Sequence, residues 1–137
     1  MVLPTWVPGV GPYPKAASGW VAEPINRQGR SVAACLYAAL MVETCLELIG
    51  SRDRLIVEGR FAQCELFVRA LATLLPHAAV LVNESKEGVG VSYGAIRLVN
   101  PNLEATGKLR KIEALHVSLE EYRRHWRSAI EPETFSA

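Results

Sequence analysis

The sequence has no surplus of charge, no cysteine framework and no cluster of metal ligands, and each shortage removes a class of function. Lys and Arg number 15 against 14 Asp and Glu, a net charge of +1. Nucleic acid and anionic membranes are met by clustered positive charge, so neither partner is expected. The three cysteines, Cys35, Cys45 and Cys64, are odd in number and form no CxxC pair. All lie in apolar, helix-like segments, where a free thiol packs as a small hydrophobe, and a reducing, cytoplasmic setting fits that use. His77, His116 and His125 add no ligand spacing, so no metal site is expected. No apolar run approaches the ~20 residues that span a bilayer. The opening "MVLPTWVPGVGPYP" has no basic segment ahead of an apolar one, which argues against a signal peptide.

What is present fits one α/β domain. The 137 residues are half hydrophobic, enough for a single core. Five of the eight prolines fall within residues 1–30, interleaved with Gly9, Gly11, Gly19 and Gly29. That excludes a helix or a central strand there. Trp6, Tyr13, Trp20 and Val21 are too apolar for a solvated tail, so 1–30 reads as an extended arm lying on a surface, followed by a domain over 31–137.

Ser31 to Ile49 predicts a helix, with Ser31 as N-cap and Gly50 at the C′ position. Its only charges are Glu43 and Glu47, one turn apart, so a narrow stripe faces water and the rest is buried. Leu55-Ile56-Val57 has the pattern of a parallel strand covered on both faces. From 61 to 75, Cys64, Phe67, Val68, Leu71 and Leu75 share one helical side, and Pro76 stops the helix. Residues 78–83, "AAVLVN", form a second strand, and about 89–99 another helix. "LRKIEAL" reads as an edge strand. "SLEEYRRHWRSAIE" forms a charged helix with Ser118 and Glu121 as a capping box, carrying Leu119, Tyr122, Trp126 and Ile130. This alternation is α/β with parallel strands. The sheet is thin for so many apolar helices, which predicts strands from the arm, association of copies, or a larger parent.

Gly59 is the foremost candidate for function. A glycine between a strand's carboxyl end and a helix allows close approach of a phosphate, which free N–H groups then meet. The competing reading is a plain turn. Gly88, Gly90 and Gly94 do not follow a strand in phosphate-loop spacing, and Gly94 is expected to permit close packing. Glu58 is read as a cap of the following helix, with a magnesium-bound water or a ribose hydroxyl as the alternative. Arg60 could meet a phosphate or be a surface arginine at a helix start, and Arg123-Arg124-His125 read as a solvated helix face. No residue is identified as a catalytic base.

"DRLIVEGRFAQCELFVRALATLL" followed by "AVLVNESKEGVGVSYGAIRLV" resembles the C-terminal lobe of the FGGY carbohydrate kinases. In that family a strand enters a Gly-Gly turn, then come a helix, a strand, and a helix with a Gly-Ala pair, where Gly94-Ala95 stand. The resemblance covers roughly 31–100, and "GVGPYPKAASGW" and "RLVNPNLEATGKL" also look like a subgroup of these kinases. It implies a partial ribonuclease H-like domain of the actin/hexokinase type. It implies a parent that uses ATP and Mg2+ to phosphorylate a sugar or polyol hydroxyl, this lobe supplying the adenosine side. By position Gly59 takes the place of the first glycine and Arg60 the second. Gln63 or Cys64 takes the place of an asparagine at the adenine pocket. Both Arg60 and the lost asparagine depart from the pattern. No catalytic aspartate, phosphate hairpin or sugar pocket is recognised, so the partner is a missing N-terminal lobe and the chain alone is expected to be inactive. A free-standing association module that pairs as a homo-oligomer, and a small phosphate-ligand-binding domain, are the alternatives.

Overall fold

The computed structural model describes residues 1–51, 53–84, 90–102 and 108–130. Two short strands, β1 (Val2–Leu3) and β2 (Gly19–Trp20), pair antiparallel within the arm. The longest element, α1, runs Arg27–Leu48. It starts inside the segment expected to be extended, because Asn26 is the true N-cap: its Oδ1 accepts from the Gly29 N–H at 2.7 Å. Ser31 sits a turn inside, where its hydroxyl donates to the Arg27 carbonyl. The far end is as predicted. Gly50 has φ +70°, its N–H donates to Glu47 O, and Ser51 N–H donates to Leu46 O. That is a Schellman closure, which satisfies two of the helix's orphan carbonyls.

Strand β3 (Arg54–Val57) leads through a 3₁₀ helix (Gly59–Gln63) to α2 (Glu65–Leu74), then to β4 (Ala79–Asn83). β3 and β4 are parallel, with Ile56 opposite Leu81 and Val57 opposite Val82. β5 (Leu109–Lys111) is the expected edge strand and runs antiparallel to β4. Side chains alternate across this sheet. Val57, Val80, Val82 and Ile112 are buried under Phe67, Val68, Leu71 and Leu74 of α2 and Ala39 and Leu40 of α1. Each of these valines, leucines, isoleucine and phenylalanine contributes about 1.5–3 kcal/mol on burial. Coverage of both faces is not met: Ile56, on the other face, keeps 46 % of its surface exposed.

Helix α4 (Glu120–Ile130) lies against α1 and the arm. Ser118 caps it, accepting from the Glu120 N–H at 3.2 Å. Trp126 is fully buried; its Nε1–H donates to Val2 O at 2.7 Å, and the Tyr13 ring meets it edge-on at 5.6 Å. Tyr13 Oη also lies 3.2 Å from Thr44 Oγ1 of α1. The arm is therefore held by α1 and α4 and keeps its strands separate from the three-stranded sheet.

Two expectations about helix surfaces are corrected. Glu43 is 1 % exposed and does not face water. It accepts from Arg123 Nη1 at 2.8 Å and pairs with Arg127 at 3.5 Å, so Arg123 turns inward and leaves the solvated face to Arg124 and His125. Helix α3 (Gly90–Val99) exposes every side chain from Ala95 on, and a Cβ added at Gly94 would meet nothing within 4 Å. Among the described residues, nothing packs closely at Gly94. By length and composition α1 could cross a membrane, which run length had not revealed because polar residues interrupt it. Its ion-paired Glu43 and its packing on α2 are those of a domain helix.

Candidate functional site

The turn after β3 lies at the carboxyl ends of two parallel strands, where ligands gather in open α/β sheets. Gly59 has φ +70°, a backbone conformation that glycine adopts without strain, and the space beside its Cα is open. Any other residue there would be strained while the approach to the backbone stayed clear. The predicted continuous helix from 61 is broken. A 3₁₀ helix occupies 59–63, Cys64 is extended (φ −88°, ψ 92°), and α2 begins at Glu65. The positive end of the α2 dipole is thereby displaced from Gly59 by one 3₁₀ helix.

Gly59, Arg60 and Gln63 are all exposed on this short helix, and Arg60 forms no ion pair among the described residues. Phe61 is exposed beside them and rests on Phe67, ring centroids 5.0 Å apart. Cys64 points elsewhere: its Sγ lies 3.5 Å from Cys35 Sγ on α1. It therefore does not join the exposed trio. Glu58 makes no cap with its side chain. Its Oε1 accepts from Asn83 Nδ2 at 2.9 Å, tying together the carboxyl ends of β3 and β4.

Arg110 of β5 reaches this end of the sheet and pairs with Glu84 at 3.2 Å and Glu65 at 3.6 Å. Nothing in the sequence marked either contact, because strand pairing brings these residues together. Gly88 lies outside the described residues. Among the described residues no group of three or more His, Cys, Asp or Glu could hold a metal ion.

A cleft of about 750 Å³ lies elsewhere, lined by Glu43, Glu47, Ser51, His77 and Arg123 among others. It opens at the amino ends of the strands, beside the ion pairs of Glu43 and Glu47 with Arg123 and Arg127, in which Glu43 Oε2 and Arg127 Nε find no hydrogen-bond partner among the described residues. Burial outweighs the two guanidiniums and holds the Glu43 carboxyl above the ordinary carboxylate range.

Comparison with known proteins follows this geometry closely. A family model for the C-terminal domain of the FGGY carbohydrate kinases matches residues 1–107. The chain belongs to the FGGY carbohydrate kinase family. The crystal structure of a carbohydrate kinase from Novosphingobium aromaticivorans is similar to this FGGY domain at a TM-score of 0.86 and 44% identity. That match covers 97% of this chain and 28% of the other. No curated protein matches. The fold is thus the α/β, partial actin/hexokinase-type fold that the sequence predicted, and the chain spans about a quarter of its solved relative (28%).

Proposed function

We propose that this FGGY domain is the nucleotide-side lobe of an ATP-dependent carbohydrate kinase, and that it is inactive without a second, N-terminal lobe. The parent would transfer the ATP γ-phosphoryl, with Mg2+, to a hydroxyl of a sugar or polyol in the cytoplasm. The observation that carries this reading is the open, positive-φ turn at Gly59 on the carboxyl side of two parallel strands, in a chain of this family.

The residues present fit a nucleotide in part. Gly59 leaves room for a phosphate or ribose to approach the backbone, and Arg60 places a free cation beside it. Gln63 offers an amide to an adenine edge. Cys64 was expected to share that role, but its inward sulfur leaves Gln63 as the group that reaches a base. Mg2+ would be held by the nucleotide's phosphates and by groups of the other lobe. Phosphoryl transfer depends on positioning and on charge stabilisation from both sides of the cleft, so one lobe supplies half of the requirement.

The test is ATP binding by the intact protein, by titration calorimetry, before and after Gly59→Val. The variant forces a β-branched residue into a left-handed turn and puts two methyl groups in the approach path. Affinity is expected to fall at least about tenfold, equal to 1.4 kcal/mol. Unchanged affinity would remove the site. Phosphorylation of a sugar panel by the intact protein, with none by the 137-residue chain, tests the two-lobe requirement.

A further inference from the structure

Cys35 and Cys64 come from different elements, 29 residues apart, and their sulfurs approach to 3.5 Å. Both are free thiols and both are half-buried, whereas Cys45 is exposed and stands apart. Cys64 is the junction residue: its extended backbone separates the Gly59–Gln63 3₁₀ helix from α2, so it belongs to neither helix. We propose that Cys35 and Cys64 form a reversible intramolecular disulfide on exposure to a hydroperoxide, pinning the turn that carries Gly59 to α1. The proposal concerns the thiols alone and stands whether or not the turn binds ATP.

Closing the gap to a bond of about 2.05 Å requires roughly 1.5 Å of approach. Side-chain rotation at a residue outside regular helix can supply that movement. Burial and the contact with Cys64 push the Cys35 thiol up to about 11, which disfavours Cys35 as the attacking thiolate, so the first step is assigned to Cys64. The Cys64 thiolate attacks the hydroperoxide; an S–O bond forms, the O–O bond breaks, and the released alkoxide leaves as an alcohol after taking a proton from water. Cys35 sulfur then attacks the sulfenic sulfur of Cys64. The S–S bond forms, the S–O bond breaks, and the departing hydroxide takes the Cys35 proton and leaves as water. Two thiols are oxidised and one hydroperoxide is reduced by two electrons.

The experiment is peptide mapping of the intact protein after treatment with hydrogen peroxide, with free thiols alkylated before trypsin. Cleavage gives residues 31–52, which hold Cys35 and Cys45, and residues 61–69, which hold Cys64. The expected product is these two peptides joined, two hydrogens lighter than their sum and separated by dithiothreitol. The joined species persists in Cys45→Ser and is lost in Cys35→Ser and Cys35→Ala, which differ in polarity and so control for misfolding. Overturning results are a joined species that needs Cys45, or peroxide doses that oxidise Cys45 fully while Cys35 and Cys64 are both alkylated.

Discussion

Glu43 sits in the middle of an apolar helix with two arginines of another helix against it, and its carboxylate depends on them. Removing one partner of a buried pair strands the other charge. Arg123 is partly exposed, so the low end of the usual cost applies, and Arg123→Met is expected to lower stability by about 3 kcal/mol in urea denaturation. The pH dependence has the opposite sign to that of a simple salt bridge. Burial raises the Glu43 carboxyl above its ordinary value of 4.5, so the folded protein holds this proton more tightly than the unfolded chain. Its contribution is fully present below the ordinary value and is lost as pH rises through the raised one. Urea midpoints of the wild type and Glu43→Gln, compared between about pH 4 and about pH 7, should show the wild type losing ground to the variant as pH rises. A constant difference would mean that the arginines compensate burial fully.

At the scale of elements, α4 matters more than its charged sequence suggests. Trp126 of α4 packs against Tyr13 of the arm and Tyr37 of α1, and its indole N–H donates to the Val2 carbonyl. Trp126→Ala is expected to cost about 3–5 kcal/mol. It should also release the arm, so that limited proteolysis cuts within residues 1–26 before any other site. Gly50→Val, at the positive-φ closure of α1, should cost about 1–2 kcal/mol by thermal denaturation. Periodicity and punctuation made most elements legible: Gly50, Pro76 and Ser118 sit where helices end or begin. The misread boundaries have physical reasons. Asn26 outcompeted Ser31 as the cap, and Gly59 started a 3₁₀ helix that periodicity cannot separate from α2. The inward face of α4 was open to a closer reading. Arg123 and Arg127 repeat the four-residue spacing of Glu43 and Glu47, a matched pair of stripes that predicts two facing helices. Of the candidate site, the left-handed turn at Gly59 was legible, because its neighbours are local in sequence. The direction of Cys64 was not, because α1 sets it.

Across the described residues as a whole, apolar surface stays exposed. Ile56 on the open sheet face, and Ile96, Leu98 and Val99 on α3, are exposed, the last two at 86% and 88%. In the proposed two-lobe kinase, the other lobe would be the occupant of such surface. Leu98→Glu with Val99→Glu is expected to suppress concentration-dependent association of the 137-residue chain in sedimentation velocity. The same pair in the intact protein should lower kinase activity at least about tenfold if the face meets the other lobe. The hydrogen bond between Trp126 and Val2 has a further consequence in time. Its partners are 124 residues apart, so at about 5–20 residues per second Trp126 is made roughly 6–25 s after Val2. For that interval the arm lacks the Trp126 indole that holds it in the folded domain.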